Sequence, residues 1–192
     1  MEQNVSMKIN ELPSPTWNWL KVNETPIKWS NKIEPCEIAA EGDAVATETE
    51  QLSDIETGAG READAIFATE NTAKYQILAD NAGQDKTVRL HISGKKDAHM
   101  AGSVEIVAKE NSTLTVVMDS RVAPDAIKEE DSTAEASLAV RVRMKVESGA
   151  SVRLVQVQMP QEHETLLSDI GGNLIGEGAK VEYIQLFLGK GN

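Results

Sequence analysis

One thiol and three imidazoles are all that this sequence offers for soft-metal or nucleophile chemistry: Cys36, His91, His99 and His163. An iron-sulfur cluster asks for about four protein ligands. Cys36 stands by itself in an acidic stretch, where negative neighbours disfavour the thiolate, so it reads as structural or incidental. His91 and His99 are eight residues apart, which fits no helical ligand pair of the i, i+4 kind. His91 falls opposite Leu90 and Ile92 in the alternation of its segment and so faces solvent, and His163 sits in the polar turn Pro160-Gln161-Glu162-His163-Glu164. Lys95 and Lys96 follow Gly94, and Gly171-Gly172 precedes an apolar run, yet neither matches a phosphate loop, which needs Gly-x-x-x-x-Gly-Lys-Ser/Thr leading into a helix. The sequence therefore assigns no catalytic, cofactor-binding or metal residue, and the expectation is a protein that is not an enzyme.

Charge narrows the partners. The formal net charge is −12, and between Glu34 and Glu70 eleven acids face one base, Arg61. Nucleic acid and anionic membranes both need clustered Lys and Arg, so neither is expected. The acidic stretch has no calcium-loop spacing and reads as a solvated face, either a mobile loop or a short helix around Glu62 to Thr69. One cysteine rules out an internal disulfide, no run of about 18 apolar residues is long enough to span a bilayer, and the first residues, MEQNVSMKINELPSP, carry no secretory signal. The expected compartment is the cytoplasm.

The elements that would hold such a chain together are strands. From Lys74 onward, apolar residues alternate in short runs: Tyr75, Ile77 and Ala79; Val88, Leu90 and Ile92; Val104, Ile106 and Ala108; Leu114, Val116 and Met118. The series continues through Leu138, Val140, Val142, Met144 and Val146, then Val152 and Leu154, then Val181 and Tyr183. A period of two is the mark of half-buried strands. With aromatics at only 4%, the core must be filled by Val, Ile, Leu, Ala and Met. The first 33 residues differ: Pro13, Pro15 and Pro26 alternate with Trp17, Trp19, Leu20 and Trp29, which predicts an extended arm pinned to the body by indole rings. The division expected is an arm and acidic segment over 1–70 and a β domain over 71–192.

The turns repeat as well. Glu110-Asn111-Ser112-Thr113-Leu114, Ser148-Gly149-Ala150-Ser151-Val152 and Glu177-Gly178-Ala179-Lys180-Val181 share one plan, with Asn or Gly second, a small residue third and an apolar residue opening a strand. Asn and Gly tolerate a left-handed corner, and small neighbours let successive corners stack. The offsets, 38 and then 29 residues, differ as they would if a long loop at 122–137, containing Pro124, decorated one coil. A parallel β-solenoid is the leading expectation and a β-sandwich the alternative.

Five segments together resemble the SufB/SufD scaffold family of the SUF iron-sulfur cluster assembly system, in particular its SufD-like members. They are LPSPTWNWLKVN at 12–23, SDIETGAGREAD at 53–64, VAKENSTLTVVMDS at 107–120, VESGASVRLVQVQ at 146–158 and LLSDIGGNLIGEGAKVEYIQLFLGKG at 166–191. The resemblance implies a right-handed parallel β-helix preceded by an irregular N-terminal region. It also implies a role as a scaffold that pairs with a SufB-type subunit and recruits a SufC-type ATPase, the assembled complex building iron-sulfur clusters and passing them to acceptor proteins. The family continues past the point that matches Asn192, so these residues correspond to its N-terminal portion. Its sulfur-accepting and cluster-assembling residues, and its ATPase-binding helices, lie beyond that point. A coil left open there would expose a strand edge able to pair with a second chain, including a copy of itself. Two rival readings stand beside this one: a free-standing acidic module for basic partners, and a polysaccharide-active β-helix enzyme, which would need sugar-stacking aromatics and paired carboxylates.

Overall fold

A computed structural model describes residues 4–9, 25–68, 72–80, 82–123 and 136–190. Trp17, Trp19, Leu20 and most of the loop expected at 122–137, Pro124 included, lie outside the described residues. The alternating runs all form strands. They are β6 (Ala73–Ala79), β7 (Asp85–Ser93), β8 (His99–Ala108), β9 (Thr113–Arg121), β10 (Ala136–Val146), β11 (Ser151–Gln158) and β13 (Lys180–Phe187). A further strand, β12 (Glu164–Leu174), was not foreseen, because the adjacent Leu166 and Leu167 and the pair Gly171-Gly172 break its alternation.

From β6 onward the chain passes back and forth between two sheets. One has the order β12-β10-β8-β6 and the other β13-β11-β9-β7, and every one of these pairings is parallel. The protein is therefore mainly β with two parallel sheets face to face. Inward residues of both sheets make one core, in which Ile106, Leu114, Val116, Leu138, Val142 and Leu154 are fully buried. Each such side chain is worth about 1.5–3 kcal/mol when removed from water.

Corners join the strands by stacking. Gly83, Asn111, Gly149 and Gly178 all have left-handed backbone, with φ between 58° and 76°. The Gly83 amide donates to Asn111 O, the Asn111 amide to Ser148 O and the Gly149 amide to Glu177 O, so that each corner rests on the next. A Cβ on Gly149 would lie 2.3 Å from Asn111 Oδ1, so glycine is required there by space as well as by φ. The corner at Gly83 escaped the sequence pattern because Gln84 replaces the small residue and Lys86 the apolar one.

The acidic segment is not a loop. Its first part forms β3 (Glu34–Pro35), β4 (Glu37–Gly42) and β5 (Val45–Glu48). β3 runs parallel to β8, whereas β4 pairs antiparallel with β7 and β5 antiparallel with β6, so the two reversed strands cap the first edge of both sheets. Solvated acids on short strands are a common guard against edge pairing, which explains Glu37, Glu41 and Glu48 there. Its later part includes a helix, α1 (Arg61–Phe67), two residues shorter than the Glu62 to Thr69 span at its end.

β1 (Asn4–Ile9) and β2 (Thr25–Ser30) form an antiparallel pair that, with α1, lies over the outer face of the six-stranded sheet. Trp29 is buried there against the body, as expected of an indole anchor, with Met7, Ile9, Ala63, Ile66 and Phe67 beside Ala101, Ala139 and Leu167. Between these apolar contacts runs a line of polar ties. Asp169 of β12 accepts from the Ala59 amide at 2.9 Å, from Thr57 Oγ1 at 2.6 Å and from Arg141 Nε at 2.7 Å. Arg141 lies over the Phe67 ring at 4.2 Å, and its Nη2 stands 2.7 Å from Asp64 of α1. Arg143 Nε donates to Ile55 O, and Glu105 accepts from both the amide and hydroxyl of Ser53 and from Gln76. Burial works to raise the Glu105 pKa, but those donors and the Arg143 charge outweigh it, and the net shift is downward.

Candidate interaction surface

The residues singled out for chemistry are dispersed. Cys36 lies between β3 and β4, its amide donating to Ala101 O, its side chain in the main core. A Cβ on Gly102 would come within 2.4 Å of its sulfur, so that glycine makes the space the thiol occupies. Burial pushes the thiol pKa from its ordinary 9.0 up to about 12. In the unfolded chain the thiol ionises near its ordinary value while the folded one does not, so this group's contribution to stability falls as pH rises across that interval. Ellman's reagent at pH 8 is therefore expected to label the native protein only slowly and the unfolded protein at once; immediate labelling of the native state would mean an accessible thiol.

His91 points outward from β7, its Nδ1 3.7 Å from the Asp119 carboxylate on the neighbouring strand. His99 opens β8 and meets Ser137 Oγ through Nδ1 at 2.5 Å, with the Trp29 ring 6.3 Å away. His163 occupies the turn before β12 in left-handed backbone, φ 68°. Among the described residues, no group of three or more His, Cys, Asp or Glu comes together in a way that could hold a metal ion. Lys95 pairs with Glu37 at 3.3 Å, and a Cβ on Gly94 would strike Val122 O at 2.4 Å, so this glycine serves the close approach of the two segments. Gly171 lets the strap at Glu56 and Thr57 cross β12, since a Cβ there would lie 2.0 Å from Glu56 O.

What does gather is apolar surface at the far edge of the sheets. Among the described residues β13 is paired on one side only, with β11. Its inward column, Tyr183, Gln185 and Phe187, stands beside Leu154, Gln156 and Gln158, and its outward column carries Ile184 and Leu186. Phe187 and Leu188 are about two-thirds exposed, at 66% and 67%, and Leu174, Ile175, Ile184 and Leu186 are exposed as well. β12, the matching edge of the other sheet, is partly covered, because the Gly58 amide donates to Ile170 O.

The interior also changes character on approaching this edge. Gln156 is buried in file with Met118 and Leu90 of the preceding strands, and Gln158 in file with Ser120 and Ile92, so the file turns polar toward this edge. Tyr183 Oη and Ser168 Oγ both donate to Gln156 Oε1, at 2.7 and 3.0 Å, and Gln185 Nε2 donates to Gln158 Oε1 at 3.0 Å. Buried amides are tolerated because they satisfy one another. Alternation of apolar residues could not reveal this part of β11, whose inward positions beyond Leu154 are polar.

Thus the body is mainly β, lined with exposed acids at one edge and with apolar residues at the other, and the apolar edge is the candidate interaction surface. No protein-family model matches the chain, and no curated protein and no solved structure matches it either. No helix among the described residues is long and apolar enough to cross a membrane.

Proposed function

We propose that this chain is a SufD-like scaffold subunit of a SUF-type iron-sulfur cluster assembly machinery, which works in the cytoplasm by pairing with a SufB-type subunit and a SufC-type ATPase and catalyses no reaction itself. Its two sheets are the walls of a right-handed parallel β-helix. Support for that architecture comes from strands that alternate between the sheets with parallel pairing throughout, and from corners that repeat and hydrogen-bond in file. A sandwich would join neighbouring strands antiparallel. Crossovers between parallel strands are right-handed almost without exception.

The observation that carries the scaffold reading is the contrast between the two edges. Acidic reversed strands line the first, while β13, paired among the described residues only with β11, exposes Tyr183, Ile184, Leu186 and Phe187. The exposed apolar residues of β13 suit a protein partner, and a SufB-type β-helix is the partner that this reading names. Clusters belong to the assembled complex, and no residue of this chain is assigned to ligate them.

Co-expression with a SufB-type subunit and a SufC-type ATPase, followed by affinity capture and hydrogen exchange, tests the reading. A stable complex in which the amides of 180–188 become protected, and which Phe187→Lys breaks, is expected. Failure to form it, or binding only of unrelated basic proteins in a salt-sensitive manner, would overturn the scaffold assignment and favour an acidic interaction module.

A further inference from the structure

We infer that the groove between β2 and the start of the six-stranded sheet is a binding site for a small amphipathic carboxylate. The groove has a volume of about 740 Å³, within the range of small-molecule sites, and its lining is mixed, with Ile9, Ile27 and Leu167 among its apolar walls. Into it converge Lys28, His99, Ser137, His163 and Thr165, every one able to donate a hydrogen bond.

Strand register makes this convergence. Ser137 of β10 pairs with His99 on one side and Thr165 on the other, so three polar side chains stand in file across three parallel strands. Ser137 is itself buried, and its hydroxyl holds the His99 ring through Nδ1, which leaves Nε2 as the ring's other hydrogen-bonding nitrogen. His163 precedes Thr165 by two residues, as Asp97 precedes His99, and both turn positions are left-handed. A non-glycine residue in that conformation is uncommon, and at His163 it places an imidazole at the groove. The one acid at the groove, Glu164, is turned to its own loop, where Oε2 accepts the Gln161 amide at 2.7 Å. What remains is a set of donors that includes one ammonium, beside aliphatic walls, and that is complementary to a carboxylate head on an apolar tail. Beside it the buried Trp29 Nε1 has no hydrogen-bond partner among the described residues.

Octanoate is a suitable probe, with octylamine as the control that keeps the tail and reverses the charge. In the intact chain, octanoate is expected to shift the His99 and His163 ring signals in NMR saturably, and octylamine to leave them in place. Lys28→Gln and His163→Asn, the latter chosen because Asn tolerates left-handed backbone, are each expected to weaken octanoate by about tenfold or more. Their ligand-free spectra should otherwise match the parent, which separates loss of the site from loss of the fold. Equal shifts with octylamine, shifts confined to Tyr183 and Phe187 at the open edge, or undiminished binding by both variants would overturn the assignment.

Discussion

Asp169→Ala is expected to cost about 3–5 kcal/mol, a large share of the about 5–15 kcal/mol that holds a domain folded. Its side chain is fully buried and accepts three hydrogen bonds, from Ala59, Thr57 and Arg141. Removing it leaves Arg141 almost wholly buried with Asp64 as its one remaining carboxylate among the described residues, and deprives the Ala59 amide of its acceptor. Damage should concentrate on the strap between residues 51 and 60, so limited proteolysis there should accelerate more than urea unfolding of the sheets. A double variant, Asp169→Leu with Arg141→Met, removes both charges and should recover much of the loss. Urea titration of the three proteins decides the matter: an equal loss in single and double variants would mean that packing, not the unpaired charge, sets the cost. Acid should loosen the same strap. Because Glu105 has its pKa lowered in the folded state, its contribution is complete above the ordinary glutamate range and is lost as pH falls through the folded value.

Leu154→Ala is the second large effect, at about 2–5 kcal/mol. Leu154 lies between Val116 and Tyr183 in the inward file of the five-stranded sheet and is fully buried. The neighbouring strands cannot close on the vacated space, because the hydrogen-bonded ladder fixes their separation at about 4.8 Å. The cavity therefore persists, and the cost should sit toward the upper end. Val155→Ala, one residue along and outward, should change stability by only about 0.5 kcal/mol. Similar urea midpoints for the two variants would contradict the inward and outward assignment of β11.

How much of this was legible in sequence follows from where each residue's free energy is decided. The inward files from Ile77 to Leu154 could be read directly, since burial on one side of a strand imposes a period of two. Corners at Asn111, Gly149 and Gly178 could be read because left-handed backbone restricts residue type. The edge strands β4 and β5 could not, since Glu37, Glu41 and Glu48 are there to stay in water and dilute the apolar signal. Nor could the polar ties over the outer face: Glu105, Arg141 and Asp169 fall at outward positions, where a charge ordinarily means solvent, and only the cover contributed by residues 51–68 buries them. The groove behaves the same way. His99 and His163 lie far apart in the chain, and it is the pairing of β10 with both β8 and β12 that makes them neighbours. The indoles of Trp17 and Trp19 lie outside the described residues, and only Trp29 speaks for the expected anchoring.

The unlike edges also bear on how a second chain could add to this one. A rod that could add a neighbour at both ends would polymerise head to tail, with no geometric reason to stop. Here β4 and β5 line one edge with exposed acids, which discourages strand addition there, and among the described residues β12 and β13 form the other edge. Two copies meeting through their apolar edges would turn only acid-lined edges outward, a geometry that favours a pair over a fibre.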